Sequence, residues 1–346
     1  MSSKSSDPKL EVRAPRETVA LFGHEDAEAT LLAAYRSGRI PHAWLIGGAN
    51  GIGKATLAYR MARFVLANPD PSAASVQTAG SLQIDAAHPA VRQIAGGSHG
   101  GLLTLERTAN DKGVLRTVIT VDETRETIGF FGSTAAAEGW RICIVDTVDE
   151  LNANASNALL KVLEEPPERS LFLLISHAPA RILPTIQSRC RKLLLRPLSV
   201  DNVSRAAAES AGLDAGDGSL REAAEASEGS VARALMLIAG DALGLHHRTA
   251  ALLATLPHVD PKALHALGDA LGNNDRTAIA AFVDTIDRWM SERLRAPDAN
   301  ANLPRLARLA EVWEKINRAA RDTESYNLER KPLVFSVFGL LADVTR

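Results

Sequence analysis

Apolar residues recur along the first half of the chain in two alternating patterns. Short runs, AWLI at 43–46, RICIV at 141–145 and LFLLI at 171–175, are each followed by a glycine or a polar residue. Runs of four or five that are apolar on both faces are what strands buried inside a parallel sheet require. Between them the apolar positions take helical spacing: Ala27, Leu31, Leu32 and Tyr35 over 26–37, then Leu57, Met61, Phe64 and Val65 over 54–67. Helices are also predicted over 125–131, over 154–165, where Pro166-Pro167 ends the pattern, and over 181–189. Strand character returns at 102–105, 117–121 (TVITV) and 192–195. Residues 68–80 read as loop, and His88-Pro89, Gly96-Gly97 and Gly100-Gly101 break any long element over 84–113. Strands alternating with helices predict an α/β domain with a parallel sheet.

After Pro197 the pattern changes. No strand is predicted from 199 onward, and helices are expected over 219–239, 277–296, 304–320 and 331–344. Ile279, Phe282, Val283, Ile286, Trp289, Met290 and Leu294 make one apolar stripe; Leu306, Leu309, Val312, Trp313 and Ile316 make another. Stripes of this kind are helix-packing surfaces, either within the chain or between subunits.

Length and charge narrow the class. The 346 residues suffice for two or three domains. Lys+Arg 39 against Asp+Glu 41 leaves a net charge of -2, so the chain is not a nucleic-acid binder by overall charge. Two cysteines, Cys143 and Cys190, supply neither a disulfide framework nor a four-thiolate zinc site. Residues 1–15 are polar and read as a disordered tail without a signal peptide. No window approaches the roughly 18 apolar residues of a membrane helix, so a soluble, cytoplasmic protein with no membrane partner is expected.

The chemistry begins at 48–54, where Gly48-Ala49-Asn50-Gly51-Ile52-Gly53-Lys54 reads GxxxxGK between a predicted strand and a predicted helix. Glycines let backbone N–H groups close around phosphate oxygens, the helix start favours an anion, and Lys54 would reach the outer phosphates. The next position wants a hydroxyl to ligate Mg²⁺, and Ala55 has none. Thr56 lies about 100° further round the helix and faces elsewhere. The strand at 141–145 delivers Asp146 beside the phosphates, where an acidic residue helps hold Mg²⁺. Thr147 stands where a hydrolysing site has a Glu to orient water, and Asp149 and Glu150 are expected to face solvent. Nucleotide binding is therefore expected without hydrolysis. Ser188-Arg189-Cys190 closes a predicted helix, a place the helix dipole alone makes favourable for Arg189.

His42-Ala43-Trp44-Leu45-Ile46, GIGKATLA at 51–58, SNALLKVLEEPPE at 156–168, SHAPARILPTIQSRC at 176–190 and GSVARAL at 229–235 together resemble the AAA+ clamp-loader family of bacterial DNA polymerase III. Within that family these segments most resemble the non-hydrolysing stator subunit of the loader. The resemblance is dense over about 23–198 and thinner beyond. It implies an AAA+ P-loop domain at 16–198, a small helical lid at 199–242 and an all-α collar at 243–346. It implies that Arg189 is an arginine finger offered in trans to a neighbouring motor subunit, worth roughly 10³–10⁵ in rate. It also implies nucleotide contacts for Ser176, as a polar sensor, and for Arg233, as a second sensor in the lid. Gly48, Asn50, Gly51, Ile52, Gly53, Lys54, Ala55, Thr56 and Asp146 would line the ATP or ADP site. The implied partners are the motor (gamma/tau) and delta subunits and, through the assembled complex, the sliding clamp and primer-template DNA.

The pattern departs from the family at 68–120, where a four-cysteine zinc module is common. That segment has no cysteine, and His88 and His99 are too few for a structural site, so neither zinc nor any other metal is expected. An active motor ATPase is the alternative function, and Ala55 and Thr147 argue against it.

Overall fold

The three apolar runs are the interior strands of the sheet. The computed structural model describes residues 10–109, 116–132, 139–272, 276–295 and 303–345. By internal packing the chain divides into two units, with the boundary between Ala232 and Arg233.

The first unit runs α1 (Glu25–Arg36), β1 (Ala43–Gly47), α2 (Lys54–Ala67), α3 (Ala74–Gln77), α4 (Pro89–Ala95), β2 (Leu102–Glu106), α5 (Val121–Gly132), β3 (Arg141–Asp146), α6 (Ala153–Glu164), β4 (Ser170–Ser176), α7 (Pro184–Gln187), β5 (Arg191–Leu194), α8 (Val200–Ala211) and α9 (Gly218–Ala226). Among the described residues the sheet has five strands in the order β2-β3-β4-β1-β5. Every pairing is parallel. β1 and β4 are buried along their whole length and β3 along its centre. The edge strand β5 carries Arg191 and Lys192 and is largely exposed, which discourages pairing with a further strand.

Alternation sends successive side chains to opposite faces. Trp44, Ile46, Ile144 and Leu173 pack under α1 and α2 with Leu31, Tyr35, Leu57, Met61 and Phe64. Ala43, Leu45, Cys143, Val145, Phe172 and Leu174 pack on the other face with Phe131, Leu159, Leu163 and Ile186. The register pairs Gly47 with Ser176 and Asp146 with Ile175, so the carboxyl ends of β1, β3 and β4 form one rim. That rim is where open parallel sheets bind ligands.

Local chemistry overrides the sequence pattern in several places. TVITV is not a strand: Ile119 makes one isolated bridge to Leu151, and helix α5 starts at Val121. Thr120 and Glu123 form a capping box, with the Thr120 N–H donating to Glu123 Oε2 at 2.6 Å and the Glu123 N–H to Thr120 Oγ1 at 3.5 Å. Thr120→Ala is expected to cost about 1 kcal/mol and to speed amide exchange in the first turn of α5, read by hydrogen exchange.

His88-Pro89 begins a helix instead of breaking one: Pro89 takes the first position of α4 and His88 Nδ1 accepts the Ala90 N–H. His99 Nδ1 likewise accepts the Gly101 N–H. The end of the expected tail, 13–15, is also not loose. Arg13 pairs with Glu209 at 3.1 Å, its N–H bonds the Ser210 carbonyl, and the buried Arg63 donates to the carbonyls of Pro15, Arg16 and Thr18. Residues 1–9 of that tail lie outside the described residues. The helix predicted over 181–189 is cut to α7, because Pro184 holds Leu183 extended. That predicted over 219–239 is split at Gly229 (φ 84), where a Cβ would lie 2.5 Å from the Leu198 nitrogen. Helix α10 (Val231–Leu237) follows.

The second unit is helical: α11 (Ala242–Ala254), α12 (Pro261–Leu271), α13 (Arg276–Arg295), α14 (Leu303–Ser325) and α15 (Arg330–Thr345). The two apolar stripes lie inside it. Phe282, Ile286 and Met290 of α13 meet Leu309 and Ile316 of α14 and Val334, Val337, Phe338 and Leu341 of α15.

Candidate phosphate-binding site and exposed arginine

Between β1 and α2 the chain turns through three glycines with positive φ: Gly48 (149°), Gly51 (74°) and Gly53 (97°). A Cβ on Gly48 would lie 2.7 Å from the Leu195 carbonyl oxygen, and one on Gly51 2.3 Å from Ser230 Oγ. Only glycine fits these two positions. Gly53 caps α2 without a side-chain hydrogen bond, which leaves first-turn N–H groups for an anion. The loop is braced from outside. The Gly48 N–H donates to the Ser176 carbonyl at 3.2 Å, and the Val231 N–H donates to the Gly51 carbonyl at 2.8 Å. Asn50 is exposed at the tip, Ile52 is buried beneath it, and Thr56 is half-buried one position beyond Ala55.

Lys54 is 3% exposed, and its Nζ donates to the carbonyls of Gly48 (2.8 Å) and Ala49. Burial pulls its pKa down to about 8, against the attraction of Asp146 and Asp149. Asp146, at the end of β3, is pushed up to about 6 by burial and by neighbouring Glu106, with Lys54 opposing. This glycine cradle with one buried cation fits phosphate. The same residues do not fit a catalytic Mg²⁺: Ala55 presents a methyl group, and Thr147 is buried with no hydrogen-bond partner for its hydroxyl. Among the described residues there is no group of three or more His, Cys, Asp or Glu placed to hold a metal ion.

Two residues of the site escape a reading of spacing. His24, buried at the start of α1, lies 2.6 Å through Nε2 from the Ile52 carbonyl and so braces the loop beside Gly53. Burial lowers its pKa, favouring the neutral ring. Asp149, expected to face solvent, is exposed by area but fully engaged. Its Oδ1 accepts from Ser176 Oγ (2.9 Å) and the Ala178 N–H (3.1 Å), and its Oδ2 from the His177 N–H (2.7 Å). The Ser176 hydroxyl is thereby spent on Asp149, in the loop that follows β3. Glu150 is half-buried and pairs with Arg107 at 2.9 Å.

Arg189 and Arg233 differ in kind. Arg233 belongs to the helical unit, where its Nε lies 2.7 Å from Asp284 Oδ2 and its side chain is 7% exposed. Burial lowers its pKa and raises that of Asp284. Arg189 follows α7 with about a third of its side chain exposed. Its Nη1 donates to the Thr185 carbonyl at 2.8 Å, and its Nη2 meets Glu164 Oε1 at 2.7 Å.

The strand order and glycine loop define a P-loop α/β protein with a helical C-terminal region. The family model described as "DNA polymerase III, delta subunit" matches residues 23–199, more than half of the chain, and the chain belongs to that family. The DNA polymerase III subunit delta' of Pseudomonas aeruginosa is 37% identical over 149 residues, 43% of this chain and 41% of that protein. The gamma/tau subunit of Mycobacterium tuberculosis is 28% identical over 324 residues, 91% of this chain and 53% of its own length. A gamma subunit-related protein of known structure from Thermotoga maritima shares 17% identity at a TM-score of 0.45, covering 91% of this chain and 99% of that one. The chain thus spans about half of the length of these curated relatives.

Proposed function

We propose that the chain is a clamp-loader subunit of the delta-prime type, a stator that binds nucleotide without hydrolysing it and completes a neighbour's ATP site. The observation that carries this reading is a phosphate cradle whose metal and water-orienting positions hold Ala55 and Thr147. The N–H groups of 48–54 and Lys54 would hold the phosphates of ATP or ADP, and Asp146 would stand beside them. Bound nucleotide supplies only anionic charge here, and no bond is made or broken at this site.

The half-buried Arg189 is the group given to a motor subunit of the gamma/tau kind, in an assembly with delta that places a sliding clamp on primed DNA in the cytoplasm. In this reading residues 199–242 act as a lid and 243–346 as a collar. Ser176 and Arg233 keep their family positions, but their side chains serve Asp149 and Asp284.

Size-exclusion with light scattering of the chain mixed with gamma/tau and delta subunits, together with ATP turnover of the chain alone, tests the proposal. Assembly with no intrinsic turnover is expected. Turnover of the isolated chain at about 0.1–1 s⁻¹ would identify an active motor instead.

Lys54 makes the binding pH-dependent. A bound phosphate favours the ammonium form, while the empty site holds Lys54 at about 8, so above that pH binding must take up a proton. ADP affinity, titrated without Mg²⁺, is expected to be level from pH 7 to 8. It then falls, approaching tenfold per pH unit. A flat profile to pH 9.5 would remove Lys54 from the phosphate site.

A further inference from the structure

The acidic end of α6 has no use in the functions assigned so far. Glu164 is the last residue of that helix, at the end where the helix dipole disfavours a carboxylate. What faces it is a cation 25 positions along the chain: its Oε1 lies 2.7 Å from Arg189 Nη2. The other terminal nitrogen, Nη1, is held by the Thr185 carbonyl at 2.8 Å and by Ser188 Oγ at 3.4 Å. Two of the three guanidinium nitrogens are therefore fixed from different elements, α6 on one side and α7 with its C-cap Ser188 on the other. The side chain still keeps 32% of its surface exposed.

An exposed ion pair adds little to folding. Its effect on a reaching side chain is larger. An unrestrained arginine must give up most of its rotamer freedom when it engages a phosphate, whereas one already pinned has lost it beforehand.

We propose that Glu164 is a positioning residue for Arg189, holding the guanidinium in the orientation that meets a phosphate on an adjoining chain. This rests on the finger role of Arg189 proposed above. Glu164 does not touch the nucleotide. It acts through Arg189 alone, and its effect belongs to the step in which charge develops on the transferring phosphoryl group rather than to ATP binding.

The test uses the full loader with clamp and primed DNA, comparing Glu164→Ala, Glu164→Gln, Arg189→Ala and the Glu164→Ala/Arg189→Ala pair. Glu164→Ala is expected to lower kcat about three- to tenfold with KM for ATP unchanged. Glu164→Gln, which keeps an accepting oxygen, should lose less. In the Arg189→Ala background Glu164→Ala should change nothing further. A second readout needs no neighbour. ¹⁵N spectra of the arginine side chains in the isolated chain should show Arg189 restrained in the wild type and mobile in Glu164→Ala.

A fall for Arg189→Ala with unchanged or raised turnover for Glu164→Ala overturns the positioning role and leaves the finger standing. An equal loss from Glu164→Ala with and without Arg189 also overturns it. Unchanged turnover for Arg189→Ala overturns both.

Discussion

With Arg189 in the proposed finger role, Arg189→Ala is expected to leave assembly intact and to lower ATP turnover at the neighbouring motor site by about 10³-fold or more. The size follows from where the charge is used. A cation against the transferring phosphoryl group acts where negative charge is redistributed in the transition state, and fingers of this type contribute roughly 10³–10⁵ in rate. The fold has little to lose. Arg189 is one-third exposed, its partner Glu164 is 48% exposed, and such pairs contribute about 0–1 kcal/mol. Stability and activity should therefore separate, with an unchanged melting temperature and an unchanged mass by light scattering. Single-turnover hydrolysis by the reconstituted loader, with clamp and primed DNA, is the measurement that resolves one silenced site among several. Arg189→Lys should stay well below wild type, since a point charge on a flexible stem does not replace the planar fork. Full activity in Arg189→Ala would return this side chain to the end of α7 as a dipole partner.

What could be read before folding was whatever a single strand or loop encodes by itself. β1, β3 and β4 are apolar on both faces because both faces are covered, so their sequences show it directly. The loop at 48–54 is equally plain, because its three positive-φ positions admit little but glycine. Asp149 was hidden because its role depends on the register between β3 and β4. Only when Asp146 pairs with Ile175 does a carboxylate three residues later reach the N–H groups of His177 and Ala178. Arg233 was hidden for a similar reason, since its partner Asp284 is on another helix and no local spacing points to it. Thr120 and Glu123 were readable in principle. The T-x-x-E spacing of a capping box was present, but the β-branched run TVITV competed with it, and the cap prevailed.

Asp146→Asn is expected to stabilise the sheet-bearing unit at pH 7.5 by about 1–3 kcal/mol, a rise of about 2–12 °C in Tm for a unit of this size. The Asp146 carboxyl is held at about 6, well above the ordinary carboxylate range, first by burial and then by Glu106. The folded chain therefore binds this proton more tightly than the unfolded chain does. Wild-type stability is lost as pH rises from about 4 to 6, and the loss is complete above 6. An amide of the same shape carries no such penalty. Stability curves for the two proteins should diverge between pH 4 and 6, stay apart above 6 and merge below 4, where the carboxyl is neutral in both states. Calorimetry at pH 4, 6 and 7.5 checks the sign and the window. Lys54 limits the gain, because removing the carboxylate withdraws an attraction that supports its ammonium charge. In the same variant Lys54 should therefore titrate at a lower pH than in the wild type, and the fall of ADP affinity with pH should begin earlier. A more stable protein with that earlier fall would mean that Asp146 is kept at a cost to the fold because it keeps Lys54 charged. A less stable variant at pH 7.5 would mean that the attraction between Asp146 and Lys54 outweighs the burial of both.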